Sequence, residues 1–293
     1  MPTTRAVVIL LTFALPLFSL ADPQPSSDDT FPDVSGPFRY HSDGQPSGPT
    51  SIHGDWKLAW EDDFSKDSHI DPAKWSFEIN GNGGGNHELE YYTDSPKNAR
   101  IENGELLITV IQNDDGHRFT SARMTTSHKF ACQYGRIEAM IKAPKAQLGN
   151  WPAFWMMPQD AVYGGWPRSG EIDIMEFVNR SDKLYGTCHY GGEHGDIHSG
   201  ARAILSGHNF TENYHLYAVE WEPREIRWYV DNHYYGCITN WNSASAAFPA
   251  PFDQKFYIII NYAVGGDWPK DPDATSIFPQ SMHVKYVRVY QPQ

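Results

Sequence analysis

Apolar and polar positions along most of the chain alternate with a period of two, and no apolar stripe of helical spacing persists for three turns. In YGRIEAMIKAP (134–144), Ile137, Ala139, Ile141 and Ala143 fall on one face and Arg136, Glu138, Met140 and Lys142 on the other, the pattern of a half-buried strand. GELLITVIQ (104–112) is a short apolar run after an Asn-Gly turn. HLYAVEW (215–221) and EIRWYVD (225–231) flank Glu-Pro-Arg and predict a hairpin, and KFYIIINYAV (255–264) and HVKYVRVYQ (283–291) predict further strands. Many short strands separated by Gly, Pro and Asn turns predict an all-β sandwich of antiparallel sheets. Neither an internal repeat nor a second domain is visible, so residues 51–293 are expected to form one β-sandwich domain.

The first fifty residues break the pattern. Residues 1–21 carry Arg5, an almost wholly apolar run over 6–18, and small residues at Ser19 and Ala21, which is the layout of a signal peptide cut after Ala21. A membrane anchor is the competing reading, but the run is short of the roughly 20 residues a span needs. Residues 22–50 are rich in Pro, Ser, Asp and Gly and are expected to be a lead-in with little regular structure. The expected setting is secreted and extracellular.

Charge narrows the partners. The net charge of −13 argues against nucleic acid and anionic membranes and disfavours a polyanionic substrate, while a neutral polymer fits. Aromatic residues make up 14% of the chain, enough for rings to stack on sugars as well as fill a core. Cys132, Cys188 and Cys237 are an odd set without metal-site spacing, so at most one internal disulfide can form, with Cys188–Cys237 one option. Two glycosylation sequons begin at Asn179 and Asn209.

The chemistry concentrates in SGEIDIMEFV (169–178), where three acids lie among Ile, Met and Phe. In a strand Glu171 and Asp173 share a face. Glu176 lies five positions beyond Glu171, which simple alternation places on the opposite face. One extra residue, a β-bulge near Ile174–Met175, would return it to the acidic face, and bulges are common beside active sites. Three carboxylates on one face repel one another unless chemistry or a cation accounts for them. A retaining glycosidase needs two carboxyl groups about 5 to 5.5 Å apart, one ionised as nucleophile and one protonated as acid. A metal site and a structural acidic cluster are the rivals. A calcium cage needs about six to eight oxygens, and the Asp/Asn/Gly loop pattern of such a cage is missing here.

Beyond these residues, the sequence closely resembles glycoside hydrolase family 16, in its laminarinase-like branch of endo-β-1,3-glucanases. The resemblance rests on GNHELEYYT (85–93), TSARMTT (120–126), KFACQYGRIEAMIKAP (129–144), WPAFWMMP (151–158), GEIDIME (170–176), YAVEWEP (217–223), NYAVGGDWP (261–269) and YVRVYQ (286–291). It spans roughly 56–291 and implies a jelly-roll sandwich of two curved antiparallel sheets with an open concave substrate cleft. It also implies Glu171 as nucleophile, Glu176 as acid/base, Asp173 as their assistant and His189 as a neighbour of the acid/base. A strand histidine without a catalytic part is the plainer reading of His189. Asn86, Glu88, Arg123 and Asn261 match positions that hydrogen-bond glucose hydroxyls, although Glu88 and Arg123 also read as an ordinary ion pair. Trp151, Trp155, Trp166 and Trp268 are the candidate sugar platforms, with core packing as the alternative for each. Trp56, Trp60, Trp75, Trp221 and Trp228 are expected in the core.

The implied substrate is a laminarin-like or cell-wall β-1,3-glucan, mixed-linkage glucan included. Agarose, porphyran or carrageenan, transfer to a sugar acceptor, and non-catalytic glucan recognition are the alternatives, the last opposed by the presence of all three acids. No cofactor is required. Relatives often hold a structural calcium, but here Lys285 and the shorter Asp63 stand at the places that would ligate it. A monomer without a membrane anchor or nucleic-acid partner is expected.

Overall fold

The computed structural model describes residues 56–65, 68–192, 195–204 and 209–292, together with the backbone of a two-residue strand at 33–34. The signal peptide expected over 1–21 and nearly all of the lead-in expected over 22–50 lie outside the described residues. The strands in chain order are β1 (Asp33–Val34), β2 (Trp56–Asp62), β3 (Ser76–Phe77), β4 (Glu90–Tyr92), β5 (Ala99–Glu102), β6 (Glu105–Asp114), β7 (His117–Ser121), β8 (Arg123–Thr125) and β9 (Gly135–Lys142). They continue with β10 (Asn150–Pro158), β11 (Glu171–Glu176), β12 (Lys183–Gly192), β13 (Gly195–Ile204), β14 (His215–Glu222), β15 (Glu225–Val230), β16 (His233–Ile238), β17 (Phe256–Val264) and β18 (Gln280–Pro292). Among the described residues no helix is long and apolar enough to cross a membrane.

One sheet runs β1-β13-β12-β11-β10-β17-β8-β3, the other β16-β15-β14-β9-β18-β6-β7-β4, with β2 on β18 and β5 on β6. Pairing is antiparallel except for β1 with β13 and β4 with β7. The expected jelly-roll sandwich is what forms. The predicted hairpin closes at Glu222 opposite Glu225.

Both sheets send their apolar faces into one core. Phe154, Met156, Ile172, Ile258 and Ile260 from the first sheet meet Ile137, Ala139, Ile141, Val219 and Val287 from the second. Trp75, Trp221 and Trp228 lie in this core as expected, and Trp241 joins them despite its polar loop, its indole donating to the Pro249 carbonyl at 3.0 Å.

The other face of β9 departs from the simple alternation. Arg136 and Glu138 share the polar face, yet both are buried. Arg136 pairs with Glu138 at 2.8 Å and Glu220 at 3.1 Å and donates to Asn232 at 2.8 Å, while Arg227 also reaches Glu220. Charges are tolerated there because each has opposite-sign or hydrogen-bonding partners.

Smaller expectations resolve locally. Cys132, Cys188 and Cys237 are free thiols, so the Cys188–Cys237 option is not taken, and burial pushes Cys132 up to about 12. The Asn179 amide is occupied, accepting from the Gly149 N–H at 2.7 Å and donating to the Pro269 carbonyl at 2.8 Å. The residues at the family's calcium position do not fit that ion. Lys285 places its ammonium 4.1 Å from the Tyr214 ring centre, and Asp63 accepts from the Ser65 N–H.

Candidate active site

Strand β11 carries the three acids at the middle of its sheet. Against β12, Glu171 faces His189, Ile172 faces Cys188 and Asp173 faces Thr187; Glu176 then faces Tyr185. Ile174 and Met175 therefore share the one position across from Gly186. The β10 side agrees, with Trp155 opposite Asp173, Phe154 opposite Met175, and Ile174 left over. This is the bulge that the acid spacing demanded. Both bulged side chains are fully buried in the core.

The core sheet holds the bulge from beneath. Trp228 of β15 donates its indole N–H to the Asp173 carbonyl at 2.7 Å, just where the ladder shifts. Its ring lies so close to Gly186 that a Cβ there would stand 2.3 Å from Trp228 Cδ1. Glycine at 186 lets the indole reach the bulge. At the head of the strand Gly170 takes φ +85°, and a Cβ there would press on Phe252 and Pro251.

Register explains how distant residues meet. Reading across the sheet, Arg123 of β8 faces Asn261 of β17, Asn261 faces Ala153 of β10, Ala153 faces Glu176, and Glu176 faces Tyr185. A second row runs Glu171, His189, His198. On β10 the partly exposed Trp151 and Trp155 share the acids' face, while Phe154 and Met156 point to the core.

Tryptophan indoles hold two of the acids. Trp166, on the loop before β11 and half exposed, donates to Glu171 Oε2 at 2.7 Å. Trp151 donates to Glu176 Oε1 at 2.9 Å, and Trp268 packs edge-on to Trp151 with ring centres 5.6 Å apart. Trp155 donates to Asn261 Oδ1 at 2.7 Å, Asn261 donates to the Tyr92 hydroxyl at 3.0 Å, and Tyr92 donates to Glu88 Oε2 at 3.2 Å. This chain ties Glu88 to the middle of the sheet. Asn86 is anchored beside it through its carbonyl, which accepts from the Asp267 N–H at 2.8 Å. Glu88 and Arg123 do not pair. Arg123 pairs instead with Glu78 at 3.0 Å and lies over the Trp155 ring at 4.7 Å.

Although the acids are on the sheet's outer face, Asp173 is 2% exposed and Glu176 7%, because the tryptophans wall them in. Burial raises Glu176 to about 7, outweighing the opposing hydrogen bond from Trp151 and the charge of His189. Burial, then the charges of Glu176 and Glu171 and a hydrogen bond with Glu171, hold Asp173 well above the usual carboxylate range. For His189, burial favours the neutral ring, but the hydrogen bond to Asp196 and the charges of Glu171, Asp196 and Glu176 win and raise it to about 9. The mutual repulsion of three carboxylates is thus relieved by retained protons and one imidazolium. The result is a buried carboxyl raised to about 7 on the same face of the strand as the partly exposed Glu171.

Comparison with known proteins supplies the family. Residues 86–287 match Glycosyl hydrolases family 16. The chain belongs to this family. Among family relatives, the glucan endo-1,3-beta-glucosidase of Cryptopygus antarcticus is 38% identical, over 80% of this chain and 92% of its own length. Glucan endo-1,3-beta-glucosidase A1 of Niallia circulans is also 38% identical, over 85% of this chain but only 40% of that longer relative. The solved laminarinase catalytic domain of Thermotoga maritima superposes with a TM-score of 0.71 at 41% identity, covering 82% of this chain and 99% of that one. The family resemblance read from the sequence is borne out, and with it the reading as a glycoside hydrolase.

The structure adds residues the sequence reading passed over. Asp196 accepts from His189 Nδ1 at 2.9 Å and is lowered to about 2; burial acts against this, and its hydrogen bonds to His189 and His198 prevail. Tyr92 and Glu78 hold the Asn261 and Arg123 side chains. Asp196 and His198 stand two apart in GDIHSG, a strand-like alternation, but the flanking glycines and charges gave the segment a loop's composition.

Proposed function

We propose that the protein is a secreted, retaining endo-glycosidase of β-1,3-linked glucan, with Glu171 as nucleophile and Glu176 as acid/base. The observation that carries this reading is the bulge, which sets a carboxyl group that stays protonated to about 7 on the same face as Glu171. In the first step Glu171 attacks the anomeric carbon while Glu176 gives its proton to the departing glycosidic oxygen. The C–O bond breaks and a glycosyl-enzyme ester forms. In the second step Glu176, now a carboxylate, takes a proton from water as that water attacks the same carbon and frees Glu171. Two inversions retain configuration. Asp173, held above the usual carboxylate range beside Glu171, orients it, and the His189 imidazolium stabilises the negative charge that remains.

A neutral sugar fits the surroundings. Arg123, the cation in the row that contains Glu176, is neutralised by Glu78, which leaves little for a sulfate to bind. Trp151, Trp155, Trp166 and Trp268 offer stacking faces for pyranose rings, and Asn86 and Glu88 offer polar atoms for hydroxyls, whereas Asn261 is buried with its amide engaged by Trp155 and Tyr92. The relatives named as glucan endo-1,3-beta-glucosidases point to the same glycan. Assay of new reducing ends on laminarin, barley mixed-linkage glucan, agarose and κ-carrageenan tests the assignment. Laminarin is expected to be cut fastest; faster cleavage of agarose or carrageenan would overturn the substrate.

The pH profile follows from Glu176. Its protonated form is required for the first step, so kcat/KM on laminarin is expected to fall tenfold per unit as pH rises beyond about 7. A rate that is flat to pH 9 would remove Glu176 from the role of acid.

A further inference from the structure

Past the carboxylates, the row Glu171–His189–His198 leads to a second group of side chains with ligand chemistry. His189 and His198 face each other directly across β12 and β13, their ring centres 5.4 Å apart. Asp196 precedes His198 by two residues on β13 and so shares its face. One oxygen, Asp196 Oδ2, lies 2.9 Å from His189 Nδ1 and 3.4 Å from His198 Nδ1. One potential ligand atom from each residue falls within 4.8 Å of the other two. The strand pair therefore offers two imidazole nitrogens and a carboxylate oxygen converging on one point. That donor set suits Zn²⁺, Cu²⁺ or Ni²⁺ and not the all-oxygen preference of Ca²⁺ or Mg²⁺. The group opens outward, with His198 54% exposed, so water can complete a tetrahedron.

We propose that His189, Asp196 and His198 form a site for a divalent first-row transition ion, with Zn²⁺ as the probe, and that its occupancy inhibits the enzyme. Binding displaces the protons the imidazoles share with Asp196, because a nitrogen must be unprotonated to coordinate. It fixes His189 on the metal and sets a double positive charge one imidazole ring away from Asp173 and Glu171; His189 Nε2 lies 3.5 Å from Asp173 Oδ2. Held on the metal through Nδ1, the ring can no longer reposition its Nε2 beside Asp173 as the acids change partners during the reaction.

The inhibitory half rests on the catalytic reading above; the binding half does not. The full protein, stripped with EDTA, is titrated with ZnSO₄ in a calorimeter, and laminarin hydrolysis is followed across the same concentrations. One ion per chain is expected, with inhibition that tracks occupancy and reverses with EDTA. His198→Ala, which touches none of the three acids, is expected to keep basal hydrolysis while both the dissociation constant and the half-inhibitory concentration rise about 10–100-fold. His198→Gln checks that any loss follows the ligand and not the fold. Equal binding and inhibition in both variants would place the ion on Glu171, Asp173 and His189 and overturn the proposal. Absence of binding by the unmodified protein overturns it too. Stoichiometric binding without inhibition would remove the inhibitory half and keep the site. A chain that binds Zn²⁺ through His198 but cuts no β-glucan would instead count against the catalytic reading.

Discussion

Glu171→Gln and Glu176→Gln are each expected to lower laminarin hydrolysis by about a thousandfold or more while the protein stays folded. The two losses should differ in kind. An amide at 171 cannot form the glycosyl ester, so every substrate fails at the first step. An amide at 176 cannot protonate the leaving oxygen, so aryl glycosides whose leaving group departs unaided should still form the ester, which then accumulates. Azide, a nucleophile needing no general base, should speed its release. Near-normal turnover of laminarin by either variant would sink the assignment.

The same substitution at 176 has an expected consequence for stability. In the folded state Glu176 holds its proton to about 7, against an ordinary value of 4.5. Between those values the unfolded chain ionises there and the folded one does not, so the wild type loses stability as pH rises, reaching on the order of 3 kcal/mol above pH 7. A Gln cannot ionise in either state, and Trp151 can still donate to its carbonyl oxygen. Glu176→Gln should therefore melt higher than wild type at pH 8 and no higher at pH 4. Loss of activity with gain of stability is the mark of a strained catalytic group.

Gly186→Val should produce the second large effect. A Cβ at 186 falls 2.3 Å from Trp228 Cδ1, and neither a fully buried indole nor a central strand can give way cheaply. Such overpacking costs about 3 kcal/mol. Moving the indole also breaks its hydrogen bond to the Asp173 carbonyl, leaving a buried acceptor unpaired. Urea denaturation should show the loss in stability, and laminarin turnover should fall beyond what the folded fraction explains, because the bulge that aims Glu176 is no longer held. Trp228→Phe, which keeps most of the ring volume and loses the donor, should show a smaller version of both effects. Unchanged stability and turnover in Gly186→Val would mean that Trp228 does not support the bulge.

Strands marked by alternation or by a short apolar run were legible in the chain, as β6, β9, β14, β15, β17 and β18 show. The bulge was legible as well, because two facts conflict without it: the five-residue spacing of Glu171 and Glu176, and the need for Ile172, Ile174 and Met175 to leave the polar face. What escaped was the β12–β13 hairpin. Its outer face carries His189, Asp196 and His198 and its backbone several glycines, so neither face reads as strongly apolar. Partner choice also escaped. Arg123 could pair with any nearby acid, and only the register of β3 against β8 brings Glu78 within its reach while Glu88 is engaged by Tyr92. The buried Arg136–Glu138–Glu220 network was hidden for a related reason. Alternation identifies which residues share a face but says nothing of what covers that face.

In the proposed double displacement, two glutamates on one bulged strand act in turn on the same anomeric carbon. Proton NMR of the first reducing ends released from laminarin by the wild-type protein, recorded before mutarotation, tests this most directly. The β-anomer is predicted to appear first and the α-anomer only later; an α-anomer at the outset would show a single inversion and contradict the double displacement by Glu171 and Glu176.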